Sequence, residues 1–210
     1  MTTDLDTLLT AMYVHVDDRL TTPRWRGRPP RPTDAQLVTL AVAQAVPGFH
    51  CEARWMRLAH AHLHGMFPYL PQRPACDKRL PTALPLVKRA TRSPAADTDL
   101  RLDDVWTVDS PPAECARSRE TVKRSDPAGW ANYGYCRSHS HSYWGLKLHL
   151  VRTHLVCTLK GQLDPEQHGG RTIEGVGVRV AQRILAVTCA IWHNRTIGAP
   201  ITRSLIAYDH

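Results

Sequence analysis

The chain has 210 residues, 27 Lys and Arg against 19 Asp and Glu, and a formal net charge of +8. An apolar fraction of 42% excludes wholesale disorder and collagen- or mucin-like classes, and the length suffices for one core without disulfides or structural metal. The apolar stretch from Ile184 to Trp192 is interrupted by Thr188 and is far short of the roughly 18–20 residues a membrane span needs.

The start, Met1-Thr2-Thr3-Asp4-Leu5-Asp6, is acidic where a secretory leader is basic. A cytoplasmic protein with no membrane partner is therefore expected. Six scattered cysteines (51, 76, 115, 136, 157 and 189) have no metal-clip spacing and read as reduced thiols in the core. The basic excess is not a tail. Residues 1–100 hold 13 Lys and Arg against 9 acids, and the remainder hold 14 against 10.

Residues 4–20 predict a helix, because Leu5, Leu8, Leu9, Met12, Val16 and Leu20 recur at three- and four-residue steps. Residues 21–32 carry four prolines with Arg24, Arg26, Arg28 and Arg31, which excludes regular structure. Arg26-Gly27-Arg28-Pro29 resembles an AT-hook core, an arginine segment suited to a narrow minor groove. A plain basic linker accounts for it equally well.

Thr33-Asp34-Ala35-Gln36 is a capping box. The helix it opens runs to about Val46 and is stopped by Pro47-Gly48. A second helix spans about Glu52 to Leu63, with Trp55, Leu58 and Ala59 inward and Arg54, Arg57 and His60 outward. Such a pair is compatible with helix-turn-helix geometry, although many helical pairs share it without touching DNA. His60, His62 and His64 read as surface histidines, since no third metal ligand stands near. Residues 66–76 read as a loop. A helix follows over about 78–92, in which Pro85 is either a kink or the true start, and Ser93-Pro94 ends it.

Leu102 to Asp109 reads as a strand. An acid at the end of a buried strand is costly unless it is paired or binds a cation. Asp109 is thus a candidate metal ligand; a polar strand end facing water is the plainer reading. The basic residues Arg117, Arg119, Lys123 and Arg124 follow. Next comes an aromatic stretch with Trp130, Tyr133, Tyr135, Tyr143 and Trp144. Bases with aromatics suit nucleic acid, through phosphate contact and stacking, although half of these rings could be core. A second strand is expected from Tyr143 to Arg152. A long helix over 173–194 carries a stripe of Val176, Val180, Ile184, Val187 and Ile191. Cys136, His139 and His141 lie close together but lack a fourth zinc ligand.

Three segments together resemble a small insertion-sequence transposase of the DDE superfamily. They are Val105-Trp106-Thr107-Val108-Asp109-Ser110, Arg117 to Ser125, and Tyr143-Trp144-Gly145-Leu146-Lys147-Leu148-His149-Leu150. Gly27-Arg28-Pro29-Pro30 and Thr33-Asp34 fit that family's N-terminal region. Leu159 to Leu163 and Arg179 to Leu185 fit its C-terminal end. The resemblance implies an RNase H-like fold in which three carboxylates hold two Mg²⁺ ions for attack on phosphodiesters.

Asp109 takes the place of the first acid, as catalytic residue and metal ligand. The second and third are missing: no Asp or Glu stands between Asp126 and Asp164. Asp103 lies about 20 Å from Asp109 along an extended strand. The resemblance therefore implies an internally deleted transposase with one of three acids. Such a chain is an α+β protein with a helical DNA-binding region over 1–95. The first two strands of a truncated core, a hairpin remnant, occupy 96–156, and the C-terminal helical segment 157–210. It would bind DNA at the terminal inverted repeats through Arg24, Arg26, Arg28, Arg31, Arg54, Arg57, Arg117, Arg119, Lys123 and Arg124. An alternative is a non-catalytic DNA-binding protein that inhibits an intact relative. The C-terminal helix, its sheet reduced, would expose apolar surface and favour self-association.

Overall fold

The computed structural model describes residues 3–20, 27, 31–98, 107–110, 112–116, 118–137, 140–152, 163, 168, 170, 172–201 and 205. The fold is α+β: a helical bundle and two small antiparallel sheets.

Helix α1 (Thr3–Arg19) buries Leu5, Leu8, Leu9, Met12 and Val16 of the expected stripe, whereas Leu20, just past its end, is half-buried. Each such side chain contributes about 1.5–3 kcal/mol of transfer free energy. Helix α2 (Asp34–Ala45) opens on the expected capping box. Thr33 Oγ1 accepts from the Gln36 amide at 3.2 Å, and Gln36 Oε1 accepts from the Thr33 amide at 2.9 Å. Gly48, at φ +69°, supplies the left-handed turn that stops it. Helix α3 (Glu52–His62) follows.

The next region holds two helices where one was expected. They are α4 (Arg73–Thr82), which begins inside the expected loop, and α5 (Leu84–Ala96). Pro85 stands in the first turn of α5, where its missing N–H costs nothing, so it marks a start and not a kink. Pro94 does not end α5. Its lost hydrogen bond falls in the last turn, and its ring is buried.

Among the described residues, five short strands stand in place of the expected two-strand hairpin. They are β1 (Thr107–Asp109), β2 (Pro112–Ala116), β3 (Asn132–Cys136), β4 (His141–Lys147) and β5 (Leu150–Arg152). A five-residue helix, α6 (Arg119–Lys123), and a 3₁₀ turn (Asp126–Gly129) lie between β2 and β3. β1 pairs with β5, and β4 is central between β2 and β3. The single expected strand over 143–152 is broken at Leu148 and His149, because the chain there leaves one sheet for the other. Pairing partners outweigh the weak strand propensity of Pro112–Ala116 and of Gly134.

Two glycines permit this close packing. Tyr143 lies over Gly134 on the neighbouring strand: a Cβ there would stand 2.6 Å from the Tyr143 ring and hydroxyl. A Cβ on Gly145 would stand 2.1 Å from the Ala113 carbonyl oxygen, which is main chain and cannot step aside. Gly145→Ala is therefore expected to cost about 1–3 kcal/mol by forcing β2 from β4, read as a lower urea midpoint. An unchanged midpoint would show that the strands separate freely.

Helix α7 (Ile173–Thr196) is the centre of the bundle. It runs along α5 and also touches α1, α2 and α4. Cys189 Sγ lies 3.2 Å from Met12 Sδ, and the Trp192 and His15 rings are 4.4 Å apart. The uncovered apolar face expected of this helix is thus corrected, since the N-terminal helices cover it. The expected stripe also shifts, because Val180 and Ile184 are half-buried whereas Gln182 and Arg183 are buried. By length and composition α7 could cross a membrane, but 67% of its apolar window is buried in the protein, which suits a core helix. Of the described cysteines only Cys189 is buried, and Cys51 is exposed, so the expected use of cysteine as core filling holds for one of them.

Candidate nucleic-acid interface

Asp109 is the last residue of β1, across from Leu150 of β5. Beside it Ser110 Oγ and His149 Nδ1 lie 2.9 Å apart. Among the described residues no three of His, Cys, Asp and Glu are grouped to hold a metal ion. The described residues thus do not by themselves assemble a two-ion centre, which needs several carboxylates a few ångströms apart. Cys136 and His141 face each other across β3 and β4; His139 lies outside the described residues.

The basic side chains fall into three groups. Of the proline-rich segment, Arg24, Arg26 and Arg28 lie outside the described residues, and Arg31 is exposed. The end of that segment is tied down: Arg79 donates to the Pro32 carbonyl and, at 2.9 Å, to Asp34 Oδ1. On α3, Arg54 and Arg57 are exposed, and the Arg54 guanidinium sits 5.8 Å from the Phe49 ring centre. Trp55 and Ala59 turn inward as expected, with Met56, whereas Leu58 is only half-buried. His60 departs from its expected outward position. It is half-buried, its ring 5.4 Å from that of His64, and its Nε2 is enclosed without a hydrogen-bond partner.

The third group surrounds α6. Arg119, Lys123 and Arg124 are exposed, and Lys123 pairs with Glu120 at 3.3 Å. Arg117 lies outside the described residues. Ser118 caps the helix. α6 leans on β2, and beneath it opens a cleft of about 450 Å³ lined by Glu114, Ser118, Arg119, Tyr133, Ser142 and Trp144, among others.

The aromatic stretch divides cleanly. Tyr143 and Trp144 of β4 are buried, whereas Trp130, Tyr133 and Tyr135 are 75%, 65% and 60% exposed. That difference decides which rings are available to a ligand.

A buried polar network went unrecognised in the sequence. Arg179 of α7 donates to Glu52 Oε2, to Gln44 Oε1 at 2.7 Å and to Gln182 Oε1 at 3.1 Å. Gln44 Nε2 also donates to Glu52, at 3.0 Å. Gln182 Nε2 donates to the Ala41 carbonyl at 2.7 Å. Arg183 Nε donates to the Leu163 carbonyl at 2.6 Å, and its Nη2 lies 2.9 Å from His50 Nδ1. His168 lines the same small void, of about 10 Å³, which is room for one water at most. The available signal was Arg179, Gln182 and Arg183, polar residues at helical spacing inside an apolar helix. The network is a structural lock and offers no room for substrate.

No family model, curated protein or solved structure matches the chain.

Proposed function

We propose that this chain descends from a DDE-superfamily insertion-sequence transposase by internal deletion, and that it binds DNA without joining it. The observation that carries the DNA-binding reading is the exposure of every described basic residue in the three groups: Arg31, Arg54, Arg57, Arg119, Lys123 and Arg124. Exposed guanidinium groups present paired donors to phosphate oxygens. The antiparallel pairing of β1 with β5, which sets Asp109 at a strand end, supports descent from an RNase H-like core. Loss of the other two acids argues for occupancy of transposon ends in place of catalysis. A chain that binds those ends unproductively would inhibit an intact relative.

The test is binding of the full chain to duplex carrying inverted-repeat ends of insertion sequences, followed across a salt series. Affinity is expected to fall steeply with salt and to exceed that for a scrambled duplex. Neutralising Arg54 and Arg57 should flatten the salt slope by about one unit per lost phosphate contact. No joined product is expected with Mg²⁺ or Mn²⁺. Equal affinity for any duplex would reject the transposon-end reading, and product that vanishes in Asp109→Ala would reject the loss of catalysis.

A further inference from the structure

We propose that the β3 side of the three-stranded sheet binds an unpaired DNA strand, with Tyr133 and Tyr135 stacking on successive bases and Arg119 holding the phosphate beside them. The assignment of DNA as the polymer rests on the reading above. The stacking site rests on the sheet itself.

Register places the residues. Tyr133 stands opposite Trp144 and Tyr135 opposite Ser142, so both tyrosines share one face of the sheet with the floor of the cleft. Trp144 is buried as that floor, while the two tyrosines are mostly exposed. β3 is an edge strand, so nothing described in the chain covers its outer side. Trp130, the most exposed large ring among the described residues, precedes the strand by two residues.

The spacing selects the ligand. Residues two apart on a strand stand about 7 Å from each other. Bases in a duplex are stacked at about 3.4 Å along each strand, so two tyrosines cannot each take a base of a closed duplex. A splayed single strand can present successive bases at the wider interval. Arg119 lines the same cleft as Tyr133, which puts a cation on the same site. The cleft volume of about 450 Å³ falls in the range of small-ligand sites.

Charge agrees with this choice. Residues 117–137 carry Arg117, Arg119, Lys123, Arg124 and Arg137 against Glu120 and Asp126. Glu114 is among the residues lining the cleft. Exposed aromatic rings beside a basic strip are the pairing by which proteins hold single strands without reading sequence. Transposon ends expose such strands once a terminus is melted or nicked, so this face complements duplex contact through α3.

The experiment uses the full chain with a labelled oligothymidylate, read by anisotropy and by quenching of tryptophan fluorescence. Tyr133→Ala and Tyr135→Ala are each expected to weaken binding about tenfold or more. The double Phe variant should keep near-native affinity, because the ring face and not the hydroxyl does the stacking. Near-ultraviolet dichroism confirms that each variant folds. Arg119→Gln should lower both affinity and salt dependence.

Unchanged oligothymidylate binding in folded double-Ala protein would overturn the proposal. So would a stronger preference for oligouridylate, which would make the polymer RNA. Self-association abolished by the double-Ala variant would make the face a contact between copies. Binding to inverted-repeat duplex is expected to survive the double-Ala change. Loss of duplex specificity with intact tyrosine-dependent strand binding would sink the transposon-end reading alone.

Discussion

Glu52→Ala should destabilise the chain by about 3–5 kcal/mol, the usual cost of leaving one member of a buried ion pair without its partner. Glu52 and Arg179 are 10% and 18% exposed at their side chains, so water replaces the lost carboxylate only in part. Gln44 loses its acceptor in the same step. A domain's whole stability is about 5–15 kcal/mol, so the effect should be plain in a urea melt, and the variant should sit close to unfolding at growth temperature. Glu52→Gln keeps an acceptor for Arg179 and should cost less. Combining Glu52→Ala with Arg179→Met removes both charges. It should recover much of the loss, since an apolar replacement of a buried pair is often neutral. Equal melts for Glu52→Ala and the native chain would mean that the pair is solvated and adds nothing.

This pair joins segments far apart in the sequence. Glu52 begins α3, and Arg179 lies in the first half of α7. Cys189 meets Met12 and His15 meets Trp192 along the same helix. The two ends of the chain thus share one core, and the sheets are carried between them. Asp126, just ahead of β3, accepts from the Ile173 amide at 3.3 Å, at the positive end of α7. The region bearing the aromatic face is therefore fastened to the bundle's central helix at its first turn.

Local signals were legible in the sequence wherever one helix decides its own geometry. The stripe of α1, the Thr33 box, the start of α3 and the length of α7 all follow from short-range rules. What depended on partners did not. Pro112–Ala116 has no strand propensity to speak of and becomes β2 only because Gly145 lets it approach β4. Arg183 looks like a surface residue by type, yet the Leu163 carbonyl and His50 pull it inside. The candidate interface was half readable. Composition marked five aromatics between 130 and 144, but only the sheet order, with β3 at the edge and β4 in the centre, separates the exposed Tyr133 and Tyr135 from the buried Tyr143 and Trp144. His168 carried no signal at all, because its role comes from what surrounds it.

Acid should unfold this chain early, chiefly through His168. The imidazole is 2% exposed, and burial, with Arg183 and then Arg179 nearby, pushes its pKa down to about 4; the Glu114 main chain opposes this only in part. Its Nδ1 accepts from the Gly170 amide at 3.0 Å, so the neutral ring carries its proton on an enclosed Nε2. Protonation would put a second N–H against Gly170 and a charge beside two guanidinium groups. The unfolded chain takes up that proton near pH 6.5, whereas the folded chain resists until about 4. Stability from this group is therefore full above pH 6.5 and declines as pH falls toward 4, by about 3 kcal/mol in all. His15 and His193 are also buried with lowered pKa values, burial being the main cause in each. They steepen the decline in the same direction. Urea midpoints measured from pH 7.5 to pH 4 should drop throughout the lower part of that range. His168→Asn keeps an acceptor for Gly170 but cannot charge. It should flatten the decline, even if it lowers stability at neutral pH. A slope identical to that of the native chain would assign acid lability to the carboxylates instead.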